Sequence, residues 1–166
     1  MSAAARACCS RRFCRRSRRA RYPGGRAARH RAARALVRER GVAGRCELVR
    51  GSFFESLPAG ADAYVLKWII HDWNDADATG ILRNVRAAVP RTGRLIICDR
   101  VLPERVTAGS PFDQSGTLMD LNMLVSVTGR ERTEAEFRRL LAAAGFTLSS
   151  VRATSSGLGI VEGLPA

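Results

Sequence analysis

Lysine and histidine are scarce in this chain of 166 residues, which has one lysine, Lys67, and two histidines, His30 and His71. Its 28 basic residues are therefore almost all arginine, a compositional bias that indicates no function by itself. No apolar run approaches the roughly 18 residues of a membrane-spanning helix, so no membrane segment is expected. G-x-S-x-G, H-E-x-x-H and a glycine-rich phosphate loop are also absent, which removes the usual signatures of esterases, zinc peptidases and nucleotide-binding proteins.

The net charge of +13 belongs to one end of the chain. Residues 1–50 contain 16 arginines and two acidic residues, whereas residues 51–166 contain 12 basic and 13 acidic residues. These two parts therefore carry net charges of +14 and −1. The hydrophobic content of 46% and the length suffice for one domain with a core. The near-neutral body argues against a nucleic-acid-binding protein, although dense arginine at one end neutralises phosphates.

Residues 1–34 contain no acidic residue and no hydrophobic periodicity. This pattern predicts a basic, disordered tail, followed by a folded domain over residues 35–166. A nucleic-acid-binding arm and a transit peptide are alternative interpretations. A further alternative is an out-of-frame translation, with the true frame resuming near residue 31. The cysteines at positions 8, 9 and 14 have no matching downstream cluster of cysteine and histidine, so no metal site is expected.

From residue 31 the pattern is typical of an α/β domain. Apolar residues at helical spacing and capping signals predict helices, and short apolar runs bounded by turns predict strands. The order of these elements predicts an open α/β sheet with parallel strands and a final strand pair, with the strands at 61–70 and 93–103 buried on both faces. The predicted helices are 31–44, 75–89, 116–127 and 133–145, and the predicted strands are 46–54, 61–70, 93–103, 147–154 and 157–165.

A histidine and three acidic residues follow or flank these predicted elements. His71 and Asp72 come at the end of one buried strand, Asp99 at the end of the next, and Glu131 just before the last helix. The carboxyl ends of parallel strands form the ligand-binding edge of such sheets. An imidazole there can remove a proton from an alcohol or phenol near neutral pH, and a neighbouring carboxylate can fix its tautomer.

Structural interpretations compete with this catalytic one. His71 could instead cap the following helix or form a hydrogen bond with a polar group in the core. Asp72 or Asn74 has the residue type favoured at a helix N-cap. Lys67 lies in the middle of an apolar strand, where a lone ammonium is costly to bury, so it is expected to have an anionic partner in the protein or in a ligand.

Three segments together resemble a known family. Residues 51–104, "GSFFESLPAGADAYVLKWIIHDWNDADATGILRNVRAAVPRTGRLIICDRVLPE", carry K-W-x-x-H-D-W. They are followed by "DLNMLVSVTGRERTEAEFRRLLAAAGF" and by "GLGIVEGLPA" at the carboxyl terminus. The chain over about residues 35–166 closely resembles the catalytic domain of S-adenosylmethionine-dependent O-methyltransferases of the caffeate and hydroxyindole type. Bacterial members of that family methylate aromatic secondary metabolites.

The resemblance implies a Rossmann-like methyltransferase sheet, a cytoplasmic location, a small aromatic acceptor with a hydroxyl group, and no metal. The family is usually homodimeric, but the domain that forms its dimers has no counterpart here, so the oligomeric state stays open. His71 corresponds to the general base, and the family places acids such as Asp99 and Glu131 around it. The implied cofactor-binding residues are Ser52, Phe53, Lys67 and Trp73, and the implied acceptor-binding residues are Asp72, Asp120, Asn122 and Met123.

Two departures from the family pattern bear on cofactor binding. Ser52 stands where the family has an aspartate that contacts the adenine end, and serine cannot supply the same charged acceptor. The family's V-D-x-G-G-G-x-G loop, its D-L-P ribose aspartate and its amino-terminal dimerisation domain have no counterpart in the sequence. The sheet is therefore expected to be incomplete and the cofactor to bind weakly. A non-catalytic remnant or binding module of the same fold is the rival interpretation.

Overall fold

The computed structural model describes residues 20–24, 27–107 and 111–166. Single turns of 3-10 helix lie at Ala43–Arg45 and Ile70–Asp72. The α-helices are α1 (Ala27–Glu39), α2 (Asp75–Ala88), α3 (Pro111–Ser126) and α4 (Glu134–Ala143). The strands are β1 (Ala20–Gly24), β2 (Cys46–Arg50), β3 (Ala63–Lys67), β4 (Arg94–Asp99), β5 (Val101–Leu102), β6 (Arg132–Thr133), β7 (Phe146–Ala153) and β8 (Gly159–Pro165).

The largest sheet has the strand order β3-β4-β8-β7. β3 and β4 are parallel, and their register places Lys67 opposite Cys98. β8 is antiparallel to both β4 and β7, so the predicted final strand pair is confirmed as a hairpin. Its turn contains Gly157, whose φ of 78° suits a residue without a side chain. Two smaller parallel pairs, β1–β2 and β5–β6, complete the described strands.

Helices α2 and α4 cover one face of the large sheet. α2 begins at the N-cap Asn74, whose Oδ1 accepts the Asp77 N–H at 2.9 Å. α4 begins with the predicted capping box between Thr133 and Glu136. Each such cap is typically worth about 1 kcal/mol. The buried cluster between the helices and the sheet includes Ile81, Leu82, Val85, Leu95, Ile97, Phe137, Leu140, Leu141 and Val161.

The other face of the sheet is more open than the apolar runs predict. Val65 in β3 is 41% exposed, and β4 alternates between buried residues, such as Leu95, and half-buried ones, such as Ile96. β3 pairs with β4 alone among the described strands, so it is an edge of this sheet. The prediction that both strands are buried on both faces is therefore wrong.

The amino-terminal boundary differs from the predicted one. β1 and the first turns of α1 fall inside residues 1–34, and α1 begins at Ala27 instead of residue 31. The rest of the predicted tail, residues 1–19 and residues 25 and 26, lies outside the described residues. Within the described part, no helix combines the length and the apolarity that crossing a membrane requires.

Candidate active site

His71 lies in the 3-10 turn that follows β3 after Trp68 and Ile69. Trp68 adopts a φ of 55°, a conformation that is costly for a bulky side chain. The Trp68 N–H donates to Cys98 O at 3.2 Å, and the Trp68 ring lies 4.9 Å from the imidazole of His71, centroid to centroid. Strain of this kind persists where the surrounding structure holds it, and functional sites are a common place for it.

The imidazole of His71 contacts two carboxylates. Its Nδ1 lies 3.0 Å from Oε1 of Glu131, and its Nε2 lies 3.4 Å from Oδ1 of Asp72. His71 is 7% exposed and Glu131 is 1% exposed, so water competes little for their hydrogen bond. When Nδ1–H donates to the Glu131 carboxylate, Nε2 of a neutral ring carries the lone pair. An ionised Glu131 can only accept this hydrogen bond, so it favours the neutral tautomer that accepts a proton at Nε2.

The surrounding charges favour the protonated ring. Burial alone would lower the pKa of His71, but the hydrogen bond to Glu131 and the negative charges of Asp99, Glu131 and Asp72 outweigh it and raise that pKa above its ordinary value. Burial, reinforced by the charge of Glu131, raises the pKa of Asp72, and the charge of His71 opposes this shift. His71 is therefore a stronger base than a histidine in water.

Asp99 supports the main chain of the turn and makes no hydrogen bond with the ring of His71. Its Oδ2 accepts the N–H groups of Ile70 at 3.0 Å and of His71 at 3.2 Å. It is fully buried, and this burial raises its pKa to about 6; the charge of Glu131 acts in the same direction, and that of His71 opposes it. The predicted pairing of His71 with one of two acids is thus made by Glu131.

Glu131 is held in place by α3. Asp120, predicted to bind the acceptor, accepts the Glu131 N–H at 2.8 Å through its Oδ1. The second oxygen of Glu131, Oε2, is buried and has no hydrogen-bond partner among the described residues. Of the other predicted acceptor-binding residues, Met123 is buried and Asn122 is exposed, accepting a hydrogen bond from Ser126 at 3.1 Å.

Aromatic side chains line the neighbouring end of β2 and the start of α2. The Phe54 ring meets the Trp73 ring edge-on at 4.7 Å, and Phe53 lies 6.1 Å from Trp73, both centroid to centroid. The Phe53 carbonyl accepts a hydrogen bond from Asn84 Nδ2 at 2.9 Å. Ser52 uses its hydroxyl locally, because its Oγ accepts the Phe54 N–H at 3.2 Å. The predicted cofactor-binding residues Ser52, Phe53 and Trp73 therefore share one region.

Lys67, the fourth predicted cofactor-binding residue, ends β3 and is half-buried. None of the described residues forms an ion pair with it, so the predicted anionic partner is not found in this part of the protein. Its β-sheet neighbour is Cys98, which is half-buried. The described residues contain no group of three or more His, Cys, Asp or Glu side chains that could hold a metal ion.

The sequence did not indicate two further residues that contact the His71 turn, Gly129 and Arg132. The backbone at Gly129 lies against the peptides of His71 and Asp72, and the buried Arg132 side chain binds carbonyl groups on both sides of His71. An arginine next to a predicted catalytic acid was the available signal, but nothing in the local pattern showed that its side chain was buried.

Comparisons with known proteins agree with this architecture. A sequence model described as O-methyltransferase domain matches residues 29–147. The chain is 46% identical over 134 residues to phenazine O-methyltransferase PhzM of Lysobacter antibioticus, covering 81% of this chain and 38% of that protein. The crystal structure of LaPhzM matches with a TM-score of 0.80 and 42% identity over 89% of this chain and 43% of that one.

The neocarzinostatin-biosynthesis O-methyltransferase NcsB1, crystallised with S-adenosylmethionine and 2-hydroxy-5-methyl naphthoic acid, matches with a TM-score of 0.73 and 35% identity. This match covers 84% of the present chain and 39% of NcsB1. The chain thus spans about two fifths of the length of these relatives, and its α/β fold is that of methyltransferase structures. On the sequence match and the fold together, the chain belongs to the O-methyltransferase family.

Proposed function

We propose that this chain takes part in the transfer of a methyl group from S-adenosylmethionine to a hydroxyl group of a small aromatic acceptor, with His71 as the general base. The observation that carries the proposal is the buried hydrogen bond between His71 Nδ1 and Glu131. The relatives named phenazine O-methyltransferase and NcsB1, the latter crystallised with a naphthoic acid, support an aromatic acceptor.

The chemistry asks little of the protein beyond alignment and proton removal. A hydroxyl oxygen that gains a methyl group must lose its proton, and a base within hydrogen-bond reach lowers the barrier to that step. In our proposal Nε2 of His71 takes this proton while Glu131 stabilises the imidazolium that forms. Asp99 holds the turn that carries His71, through the N–H groups of Ile70 and His71.

The described residues fit one end of S-adenosylmethionine, which when bound supplies the methyl group from its sulfonium. Phe53 and Trp73 offer aromatic surfaces, Ser52 offers a hydroxyl group, and Lys67 is a cation without a described partner. These groups suit an adenine and its ribose better than the methionine end, for which the chain has no glycine-rich loop. We therefore propose that this chain binds the cofactor weakly.

The position of α3 indicates which residues border the acceptor. Asp120 ties this helix to Glu131, and Met123, one turn further on, is buried. We propose that Asp72, Asp120, Asn122 and Met123 border the acceptor, with Met123 supplying an apolar contact. Asp72 lies next to Nε2 of His71, so an acceptor hydroxyl that reaches this nitrogen also meets the Asp72 carboxylate.

A non-catalytic remnant of the same fold is the second candidate. It is favoured by the open edge of β3, where Val65 is 41% exposed. Such a remnant keeps the His71–Glu131 pair as a structural feature and does not transfer methyl groups.

Transfer of labelled methyl groups to a panel of phenols and hydroxynaphthoates separates the two candidates. The wild-type chain is assayed beside His71→Gln, with His30→Gln as the matched control because His30 is the other histidine of the chain. The proposal expects slow transfer that His71→Gln reduces at least about 100-fold and His30→Gln leaves intact. Turnover that is absent from the wild-type chain favours the remnant, and turnover that is equal in His71→Gln contradicts the role of His71 as the general base.

A further inference from the structure

Arg132 is among the most buried residues of the protein, with a side chain that is 1% exposed. A guanidinium group is costly to bury unless its N–H groups find acceptors and its charge finds a partner. Each of its nitrogens finds an acceptor on the residues from Ile70 to Asp75 that surround His71. Nη1 also donates to the Arg130 carbonyl at 3.3 Å.

The hydrogen bonds of Arg132 bracket His71 along the chain. Nη1 donates to the Ile70 carbonyl at 3.0 Å, immediately before His71, and Nη2 donates to the Trp73 carbonyl at 2.8 Å, two residues after it. Both carbonyls belong to the 3-10 turn or its cap, where the main chain has few internal partners of its own. Arg132 thus binds the main chain of the turn from both ends.

The charge of Arg132 is balanced at the start of α2. Its Nη2 and Nε lie 2.7 and 3.0 Å from Oδ1 of Asp75, the first residue of that helix. Two donors of one planar group on one carboxylate oxygen fix the position of the guanidinium more tightly than a lysine ammonium would. The turn that carries His71 is therefore joined to α2 as well as to β6.

Gly129 brings the same segment into direct contact with the turn. A Cβ at this position would overlap the carbonyl oxygen of His71 and the carbonyl carbon of Asp72, and it would lie 2.7 Å from the nitrogen of Trp73. These atoms are backbone atoms, which cannot rotate away. The segment therefore needs a glycine here to lie close enough for Glu131 and Arg132 to reach the turn.

We infer that Arg132 is a positioning residue for His71, which holds the turn so that the imidazole stays within hydrogen-bond distance of Glu131. Glu131 and Arg132 are consecutive, so one binds the ring and the other binds the main chain around it. Arg132 belongs to β6 and pairs with Val101 of β5, two residues after Asp99. The expected effect of Arg132 on catalysis rests on the proposed function. Its effect on the position of the His71 imidazole does not depend on turnover.

Titration of the His71 imidazole by NMR tests the inference on the chain without any cofactor. Arg132→Lys is the decisive variant, because it keeps the positive charge and removes the planar set of donors. The groups that face the ring, Asp72, Asp99 and Glu131, are unchanged in this variant. We expect the pKa of His71 to fall by on the order of one unit, because its hydrogen bond to Glu131 loosens.

Two control variants separate a positioning role of Arg132 from a general loss of structure. Arg138→Lys alters an exposed arginine of α4 that pairs with Glu134, and it should leave the pKa of His71 unchanged. Asp75→Asn removes the charged partner of Arg132 and keeps its contacts with the carbonyl groups of Ile70 and Trp73, so a smaller shift in the same direction is expected. Circular dichroism shows whether Arg132→Lys is folded, and if it is not, the Asp75→Asn titration decides.

The assay of methyl transfer adds the catalytic consequence. We expect Arg132→Lys to lower kcat by about 10- to 100-fold, with little change in KM for S-adenosylmethionine, because Arg132 acts on the base and not on the cofactor. An unchanged His71 pKa in folded Arg132→Lys and in Asp75→Asn overturns the inference. A shifted pKa in a chain without turnover upholds the positioning role and contradicts the proposed function instead.

Discussion

His71 Nδ1 and Glu131 Oε1 lie 3.0 Å apart, although 60 residues separate them along the chain. The pairing of β5 with β6 brings the segment of Glu131 beside the end of β4, and Asp120 on α3 fixes the Glu131 main chain. Because both side chains are buried, the contact ties the protonation of His71 to the charge of Glu131. Several measurable consequences depend on this one relationship.

Replacing Glu131 with glutamine should lower the pKa of His71. The amide oxygen can still accept the Nδ1–H, but the negative charge that favours the imidazolium is gone, while burial continues to disfavour it. We expect the pKa of His71 to fall from above its ordinary value toward 6.5 or below, as followed by NMR. An unchanged titration would mean that the two side chains do not interact in solution.

The free energy of unfolding should fall as the pH rises from about 4 to about 6. Burial raises the pKa of Asp99 to about 6, so the folded state binds this proton more tightly than the unfolded state, in which an aspartate titrates near 3.9. The stabilisation is present below the unfolded pKa and is lost through this window, by on the order of 3 kcal/mol.

Urea unfolding at pH 4, 5, 6 and 7 measures this slope. Asp99→Asn is the matched variant, because its Oδ1 can accept the N–H groups of Ile70 and His71 and does not titrate. Its free energy of unfolding should change less between pH 4 and 6 than that of the wild-type chain. An equal change in the free energy of unfolding with pH in the two proteins would exclude Asp99 as the cause of the pH dependence.

Replacing Gly129 with alanine should destabilise the protein and displace the turn that carries His71. The added Cβ meets backbone atoms of His71, Asp72 and Trp73, so a cost on the order of 3 kcal/mol is expected. Gly80, in α2, has open space around the same position, and Gly80→Ala should instead stabilise the helix by about 0.5–1 kcal/mol. Denaturant unfolding of both variants checks the pair, and similar stabilities for both would refute the close approach at Gly129.

Cofactor affinity should be weak and should respond to residue 52. We expect titration calorimetry to give a dissociation constant for S-adenosylmethionine well above that of an intact relative, because the glycine-rich loop is lacking. Ser52→Asp restores a charged acceptor and should tighten binding severalfold, whereas Ser56→Asp, four residues further on, should not. Wild-type affinity that equals the relative's would contradict the incomplete site.

The elements near the site were predictable because local signals and tertiary packing agree there. The Thr133–Glu136 capping box, the Asn74 cap and the helical spacing of Ile81, Leu82 and Val85 all correspond to observed features. The convergence of His71 and Glu131 followed from placing both at the same edge of the sheet, and the fold confirms their contact.

Other features depend on contacts that sequence patterns do not encode. Val65 is apolar but exposed, because burial of a strand face depends on which elements cover it. Nothing in the sequence distinguishes Arg132 from the exposed arginines near it. Its side chain is buried because the carbonyl groups of the turn accept its hydrogen bonds. Asp99 sits at the predicted edge, yet the turn presents main-chain N–H groups to it in place of the imidazole.

A pH–rate profile of methyl transfer in a single turnover tests the central claim most directly. A general base acts in its neutral form, so the account predicts a rate that rises with pH through the raised pKa of His71, above about 6.5, and that matches the NMR titration of the same imidazole. The Glu131→Gln variant should move this limb to lower pH. A profile without this limb, or one that is unchanged in His71→Gln, would contradict the role of His71 as the base.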